Sequence, residues 1–273
     1  MPTPAPRGAV RDAPDAARIT EEAARAFLTE YGAGPGAPIV VVIPALDEAA
    51  SVAEVVAAVP AQIGGLQTEV LVVDDGSTDG TESRARQAGA RVCRLPVNLG
   101  QGQAFRLGYR LARERGATLI ATADADGQFD PDELPALVAP LLAGEADFVN
   151  GSRRLGRTET TDPVRKLGVV IFGALVSVLT GVRITDPANG LRAFRAEITA
   201  QVPLRQTQYQ TAELLIGAAA RGFRIKEVPA TMYRRGAGSS KKGGNFSYGA
   251  RFARVVLTTW WTARIRPART GRT

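Results

Sequence analysis

The chain has 273 residues, of which 45% are hydrophobic and 22% charged, as expected for a soluble folded domain. It has no histidine and a single cysteine, Cys93, which excludes internal disulfides and every catalytic or metal-binding scheme that needs histidine. The net charge of +7 is uneven, because residues 221–273 carry 13 basic side chains against one acidic residue, Glu227. Such a basic segment favours a polyanionic partner such as anionic lipid, nucleic acid or a phosphorylated substrate, although residues 266–273 alone are more simply a solvated tail.

Residues 1–37 are predicted to form an N-terminal extension and linker. They are rich in Ala, Pro, Arg and Gly and lack the continuous apolar core of a signal peptide, so a cytoplasmic location is expected. Within them, Thr20–Tyr31 is predicted to be a short helix with Thr20 as its N-cap. Residues 38–235 are predicted to form the folded domain, and residues 236–273 a basic, partly amphipathic segment.

From Ile39 onward, continuous apolar segments alternate with segments of helical periodicity. This alternation is typical of an α/β fold with a mostly parallel sheet and helices on both faces. The predicted strands are Ile39–Ile43, Val70–Val73, Arg91–Leu95, Leu119–Ala123, Asp147–Asn150 and Arg224–Val228. The predicted helices between the first five strands are 49–59, 81–88, 103–115 and 131–142.

Polar loops follow four successive predicted strands. In parallel sheets, ligands bind beyond the carboxyl ends of the strands, so these loops are expected to converge on one rim. Each loop alone is also explained by turn chemistry, which uses the same Asp, Gly, Ser and Thr residues. The four loops are Pro44–Glu48, Asp74–Thr81, Asn98–Gly102 and Asp124–Asp126.

Two carboxylates, Asp124 and Asp126, lie two residues apart at the end of the fourth strand. Gly127 permits a bend there, and Gln128 adds a neutral oxygen at the same spacing. An oxygen-only set suits Mg²⁺ or Mn²⁺ holding a diphosphate and suits zinc poorly. The alternative is a solvated loop before a helix that Asp130 or Asp132 caps.

Two apolar segments in the second half raise the question of membrane contact. Leu167–Val182 has 16 uncharged residues, too few for the roughly 20 of a transmembrane helix, and is either a buried helix or an interfacial one. Phe246–Arg266 places Phe252, Val255, Val256 and Trp260 on one helical stripe beside arginines. That pattern favours a peripheral membrane helix on the inner face of the cytoplasmic membrane, with packing on the domain as the alternative.

Seven segments of the sequence together resemble a known family. They are VVIPALDEAASV, VLVVDDGSTDGT, NLGQGQAFRLGY, TADADGQFDP, NGSR, TDPANGLRAFR and GFRIKEVPATMYRRGAGSSK. These segments resemble family 2 glycosyltransferases with the GT-A nucleotide-sugar-binding fold, and within them the dolichyl-phosphate mannosyltransferase-like, or polyprenyl-phosphate glycosyltransferase, branch. The resemblance covers about residues 38–242. One departure is Leu46 and Asp47, where the family has an aromatic residue and an amide, which leaves the preferred base open.

The resemblance implies roles for individual residues of this sequence. The implied donor-nucleotide site comprises Pro44, Ala45, Glu48, Asp75, Gly100, Gln101 and Asp124. The implied metal ligands are Asp124, Asp126 and Gln128. The implied catalytic residues are Asp126, Arg153 and Glu213. On the acceptor or phosphate side the implied residues are Arg154, Asp186, Asn189, Arg192, Arg235, Ser239 and Lys241.

The leading functional hypothesis is a metal-dependent, inverting transfer of a sugar from a nucleotide-diphospho-sugar to a polyprenyl phosphate. A phosphate acceptor is already anionic, so the reaction works without histidine. The alternative is a hydroxyl acceptor such as a polysaccharide, glycolipid or secondary-metabolite precursor, which would need a general base, Glu213 or Asp186. A nucleic-acid-binding module is disfavoured because the aromatic residues cluster with apolar ones, and a Rossmann dehydrogenase because no G-x-G-x-x-G follows the first strand.

Overall fold

A curled, eight-stranded sheet forms the centre of the computed structural model, which describes residues 13–159, 162–206, 208–233 and 245–265. The strand order is β2-β3-β1-β5-β7-β6-β8, and β4 also pairs with β3. The strands are β1 Ile39–Ala45, β2 Gln62–Ile63, β3 Leu66–Asp75, β4 Arg91–Leu95, β5 Leu119–Thr122, β6 Phe148–Thr158, β7 Arg192–Arg195 and β8 Ile225–Met232.

Strands β4, β3, β1 and β5 are parallel neighbours, and so are β6 and β8. The short strand β7 lies antiparallel between β5 and β6 and joins the two parallel parts. The predicted α/β class is confirmed. Strand β7 was not predicted, because four residues after a glycine-containing loop carry too little pattern to indicate a strand.

Helices cover both faces of the sheet. They are α1 Ala13–Tyr31, α2 Val52–Ala58, α3 Thr81–Gln87, α4 Gln101–Glu114, α5 Leu134–Leu142, α6 Pro163–Thr180, α7 Ile198–Gln201, α8 Gln210–Ala219 and α9 Asn245–Ile265. A short 3₁₀ helix, Pro131–Glu133, precedes α5, and its N-cap is Asp130, whose carboxylate accepts a hydrogen bond from Asp132 N at 3.0 Å. The capping alternative for that loop is thus confirmed at Asp130.

The alternation of side chains along β1 divides the core into two layers. Val40 and Val42 face a layer shared with α1, α4, α8 and α9, whereas Val41 and Ile43 face a layer shared with α2, α3 and α5. Helix α4 lies close against the sheet because Gly108 has no side chain. A Cβ atom there would lie 2.4 Å from Cγ1 of Val42.

Helix α1 begins at Ala13 rather than Thr20, so the predicted N-cap is wrong. Thr20 lies inside the helix, where its hydroxyl donates to the carbonyl oxygen of Ala16 at 2.7 Å. Phe27 is buried in the same core layer as α4 and β4. The described part of the N-terminal segment therefore packs on the sheet.

The apolar stripe of α9 packs on the domain, which is the alternative to membrane contact for those side chains. Phe252 and Val256 are buried, and the Phe252 ring lies 4.7 Å from that of Phe172 in α6. The indole of Trp260 donates to the carbonyl oxygen of Leu179 at 2.7 Å. Among the described helices, none combines the length and apolarity needed to cross a bilayer.

Candidate functional site

The loops that follow β1 and β3 are fastened to each other at the carboxyl edge of the sheet. Asp47 N donates to Oγ of Ser77, and the carboxylate of Asp47 accepts from Thr78 N, both at 2.9 Å. Glu48 N donates to the hydroxyl of Thr81 at 2.9 Å. Asp47 has a left-handed backbone (φ 51°), a conformation that Asp and Asn tolerate better than most residues. Pro44 and Ala45 are buried at the end of β1, and Glu48 is half-buried beyond them.

Asp75, at the end of β3, holds the loop that precedes α4. Its two carboxylate oxygens accept hydrogen bonds from Leu99 N at 2.7 Å and Gly100 N at 2.9 Å. Burial raises the pKa of Asp75 to about 6, although these two hydrogen bonds oppose the shift. Gly100 is the N-cap of α4 with φ 95°, and Gln101 is exposed at the first position of that helix.

The Asp124–Gln128 loop is held from both sides. Ser51 donates to the carbonyl oxygen of Ala125 at 2.8 Å, and Gln128 Nε2 donates to the carbonyl oxygen of Tyr233 at 3.3 Å. One carboxylate oxygen of Asp126 accepts from Gln128 N at 3.1 Å. The loop is therefore positioned by both α2 and the end of β8.

Gly190 provides the space in which the Asp124 carboxylate lies. A Cβ atom on Gly190 would lie 2.8 Å from Oδ2 of Asp124 and 3.1 Å from its Oδ1. The carbonyl oxygen of Gly190 also accepts from the hydroxyl of Thr122, the last residue of β5, at 2.6 Å. The loop before β7 thus forms one wall beside the first carboxylate of the pair.

The side-chain oxygens at this loop fit a hard divalent cation that is held partly by the protein and partly by a substrate. No group of three or more acidic or cysteine side chains in the described ranges could enclose a metal. Two carboxylates, from Asp124 and Asp126, and the side-chain amide of Gln128 instead suit an ion that takes its other ligands from phosphate and water.

Arg153 and Arg154 lie within β6, not after it as expected, because β6 continues to Thr158 and pairs again with β8 after an irregularity. The guanidinium of Arg153 forms a two-point ion pair with the buried carboxylate of Asp186. Nε lies 2.6 Å from Oδ2, and Nη2 lies 2.7 Å from Oδ1. Arg154 is exposed.

Asn189 and Arg192 are buried and shape the loop before β7. The Asn189 amide donates to the carbonyl oxygen of Gly151 at 2.6 Å. The guanidinium of Arg192 donates to the carbonyl oxygens of Asn189 and Pro187, each at 2.8 Å, and to that of Thr211. The polar atoms in these contacts are directed at the protein itself.

Glu213 lies in the first turn of α8, where its carboxylate accepts from Arg205 N at 2.8 Å and Gln206 N at 3.0 Å. Burial raises its pKa, and the two hydrogen bonds oppose that rise. Glu213 also lines a cavity of about 300 Å³ beside α9, together with Arg221 and Trp261. None of Asp124, Asp126 or Arg153 lines that cavity.

The end of β8 brings the Asp126–Gln128 loop and Arg153 together. Tyr233 N donates to the carbonyl oxygen of Gln128 at 2.8 Å, and Phe129 forms an isolated bridge with Met232. The sulfur of Met232 lies 3.3 Å from Nη1 of Arg153. Arg235, Ser239 and Lys241, expected on the acceptor side, lie outside the described residues.

Sequence reasoning missed several residues that build this rim. Gly190, Met232 and Tyr233 lie inside motifs that were quoted for the resemblance, so the motif boundaries were a usable signal. Ser51 also lies in a quoted motif, but nothing in its local pattern indicated contact with a loop 74 positions away.

Comparison with known proteins shows the family of the chain. Residues 40–202 match the family model described as "Glycosyl transferase family 2". The undecaprenyl-phosphate mannosyltransferase of Micrococcus luteus is 32% identical over 206 residues, which cover 71% of this chain and 82% of that protein. The dolichyl-phosphate hexose transferase of Haloferax volcanii is 33% identical over 200 residues, covering 73% of this chain and 84% of that protein.

Solved structures of glucosyl-3-phosphoglycerate synthase from Mycobacterium tuberculosis share the fold. The complex with Mn²⁺, uridine diphosphate and glucosyl-3-phosphoglycerate has a TM-score of 0.63 at 26% identity, covering 90% of this chain and 84% of that one. The complex with Mg²⁺ and uridine diphosphate has a TM-score of 0.64 at 26% identity, covering 92% and 85%. The chain therefore belongs to glycosyltransferase family 2, has the GT-A fold and is a glycosyltransferase.

Proposed function

We propose that this glycosyltransferase moves a sugar from a nucleotide-diphospho-sugar to a polyprenyl phosphate with inversion, using Mg²⁺ or Mn²⁺. The observation that carries the proposal is the meeting of two kinds of groups at the end of β8. The loop with Asp126 and Gln128 pairs with residues 232–233, and Arg153 contacts Met232 in the same place. A carboxylate loop for a metal diphosphate would thus face a cation for an acceptor phosphate.

On the donor side, the nucleotide would lie over the loops after β1, β3 and β4. Asp75 would accept a hydrogen bond from the base with the oxygens that already hold Leu99 and Gly100. Glu48, half-buried beyond Pro44 and Ala45, would accept from the ribose hydroxyls. Gly100 and Gln101 begin α4, whose N-terminus favours a nearby diphosphate.

Asp124 and Asp126, with Gln128, would hold the divalent ion on the donor diphosphate. A bound ion would neutralise the charge that develops on the leaving nucleoside diphosphate. The relatives crystallised with Mn²⁺ or Mg²⁺ and uridine diphosphate support the use of a divalent ion. Because Gly190 has no side chain, the Asp124 carboxylate would have room to hold the ion.

On the acceptor side, the contacts of the two candidate bases favour a phosphate. Asp186 has both carboxylate oxygens on the Arg153 guanidinium, and Glu213 has both on backbone N–H groups. A phosphate oxygen needs no base because it is already ionised, and one displacement by that oxygen gives inversion at the sugar carbon. Arg153 and Arg154 would bind the phosphate, and we keep Arg235, Ser239 and Lys241 as further candidates.

A hydroxyl acceptor is the second candidate, and three observations favour it. Burial raises the pKa of Glu213, and the residue lines a cavity, both of which suit a general base. Solved relatives also bind phosphoglyceric acid. Against it, the cavity is lined by α9 residues and by none of the metal-binding candidates.

The test is transfer from a panel of nucleotide sugars to three acceptors with Mg²⁺ or Mn²⁺, followed by mass spectrometry. We expect a product with undecaprenyl phosphate and none with the corresponding polyprenol or with phosphoglyceric acid. The anomeric proton coupling of the product reports inversion. Transfer only to a hydroxyl acceptor, lost in Glu213→Gln, would establish the second candidate instead.

Asp126→Ala is expected to lower metal-dependent transfer at least about 100-fold, because one carboxylate is lost from the ion that stabilises the leaving group. Gly190→Ala is expected to lower it as well, since the new Cβ would meet the Asp124 carboxylate. Gly34→Ala is the matched control, because a Cβ there meets no atom within 4 Å. Initial rates across a metal titration measure the effect, and near-normal rates for Asp126→Ala would refute the metal role.

Donor affinity is expected to weaken about tenfold between pH 7 and pH 5, with a midpoint near 6, because the ionised Asp75 carboxylate is the better acceptor. Asp75→Asn should bind the donor weakly at every pH, with donor KM changed more than kcat.

The raised pKa of Asp75 also means that the folded protein retains a proton that the unfolded chain releases. Asp75 therefore contributes stability below about pH 4 that is lost as the pH rises through 6.

The pH dependence of donor affinity is measured by calorimetric binding of the intact nucleotide sugar, whose diphosphate diester does not titrate between pH 5 and pH 7. A pH-independent Kd for the unaltered protein, or a pure loss of kcat in Asp75→Asn, would contradict the base-contact assignment.

The exposed face of α6 would contact an anionic membrane that carries the lipid acceptor. Leu167, Ile171 and Val178 are exposed at helical spacing, and Val178 is 82% exposed. Residues 163–185 contain no acidic side chain, and Lys166 and Arg183 are exposed near the two ends of the helix. An apolar stripe flanked by cations suits a helix that lies on an anionic surface. Trp261 of α9, 62% exposed, is a further apolar contact of this proposal.

The double change Leu167→Gln, Ile171→Gln is expected to reduce binding to anionic phospholipid vesicles roughly 100-fold at every salt concentration, because an apolar term of about 3 kcal/mol is lost. The unaltered protein should bind at low salt and weaken as salt rises. Leu142→Gln, an exposed leucine of α5, is the control and should bind normally. Co-sedimentation measures this; an unaltered protein that stays in the supernatant at low salt would rule out the membrane surface.

A further inference from the structure

The carboxylate of Glu227, in β8, holds the loop that carries Asp186. It accepts from Thr185 N and Thr185 Oγ1, each at 2.7 Å, and from Asp186 N at 3.2 Å. It also accepts from the side-chain amide of Asn150, in β6, at 2.9 Å. These hydrogen bonds fix both the backbone of the loop and its distance from the neighbouring strand.

The loop in turn fixes Arg153. Asp186 is fully buried, and its carboxylate accepts from N, Nε and Nη2 of Arg153 at 3.1, 2.6 and 2.7 Å. The Asn150 amide donates to the carbonyl oxygen of Asp186 at 2.9 Å as well as to Glu227, so one side chain links both acidic residues. The carboxylate of Glu227 therefore holds the loop, and the carboxylate of Asp186, which lies on that loop, holds the guanidinium.

We propose that Glu227 is a positioning residue for acceptor binding, which acts through Asp186 on the orientation of the Arg153 guanidinium. The inference rests on the proposed function, in which Arg153 binds the acceptor phosphate. A guanidinium held in one plane loses less conformational freedom when it binds a phosphate in two-point fashion. Glu227 contributes this without contacting the substrate.

The charge of Glu227 matters as well as its shape. In the described structure, its two oxygens are contacted by hydrogen-bond donors: N–H or O–H groups of Asn150, Thr185 and Asp186. In Glu227→Gln, an amide NH₂ would replace one of these oxygens and face donors, so the loop would have to move. The displacement would reach Arg153 through the ion pair with Asp186.

Asp147 offers a matched control, since it directly precedes β6 at the amino ends of the same two strands. Its carboxylate bonds Arg224 and Arg195, and hydrogen bonding to Arg224 lowers its pKa to about 2. It thus holds the amino end of β6 beside β8 through arginines, whereas Glu227, three residues after Arg224, holds the loop of Thr185 and Asp186. Asp147→Asn should cost stability without moving Arg153.

The experiment compares Glu227→Gln with Asp147→Asn in KM for undecaprenyl phosphate, donor KM, donor hydrolysis rate and thermal midpoint. We expect Glu227→Gln to raise acceptor KM at least fivefold, with donor KM and donor hydrolysis within twofold. Asp147→Asn should lower the thermal midpoint yet leave acceptor KM within twofold. An equal change of acceptor KM in both variants would show a merely structural role and overturn the inference.

Thr185→Val is the second variant, which removes the hydroxyl contact with Glu227 at nearly constant volume. It should raise acceptor KM in the same direction by a smaller factor, and it decides the matter if Glu227→Gln does not fold. An unchanged acceptor KM in Thr185→Val would then overturn the inference. If the unaltered protein does not use polyprenyl phosphate at all, the proposed function fails. If the unaltered protein transfers the sugar to polyprenyl phosphate and Glu227→Gln leaves acceptor KM unchanged, only the positioning role is refuted.

Discussion

A buried guanidinium, that of Arg192, ties the loop before β7 to the start of α8. Its side chain is 1% exposed, and burial lowers its pKa to about 10, opposed by the negative charges around it. A buried charge is tolerated only when it is paired and hydrogen-bonded, and here carbonyl oxygens of Pro187, Asn189 and Thr211 supply the partners. The backbone of Arg192 pairs with Thr122 of β5 and Asn150 of β6, so the residue that anchors this loop also lies in the strand between the two parallel parts of the sheet.

Four acidic side chains in the described part of the chain hold backbone segments in place. Asp74, Asp75, Glu213 and Glu227 all accept hydrogen bonds from backbone N–H groups of nearby loops. Loops that leave a sheet have N–H groups without strand partners, and a carboxylate satisfies two or more of them at once. These carboxylates therefore contribute to the fold, whereas the proposed metal site relies on Asp124 and Asp126 after β5.

The sequence predicted the first half of the sheet better than the second. Strands β1, β3, β4 and β5 are buried, parallel and apolar, so composition alone indicates them, although their ends differ by a few residues. Strand β7 was missed and β6 was predicted too short, because both depend on pairing with partners distant in sequence. The start of α1 was misplaced because Thr20 has cap-like neighbours but bonds within the helix.

The same limit applies to the site. Motif order located the loops of Asp75 and Asp124, since residues that follow buried strands reach one edge of the sheet. Motifs could not separate residues that face a ligand from those that shape a loop. In this structure Asn189 and Arg192 are buried and hold the loop before β7, which shows only in the folded chain because burial and hydrogen-bond direction are not visible in the sequence.

Asp47 shows why the departure from the family motif is structurally neutral. At φ 51° the backbone needs a residue that tolerates the left-handed region, and an aspartate tolerates it as an asparagine does. Its side-chain oxygen accepts from Thr78 N, a contact that an asparagine oxygen would also make. The substitution therefore preserves the link between the loops after β1 and β3. Under the proposed function, selection of the base would then depend on groups that face the nucleotide directly, such as the buried Asp75.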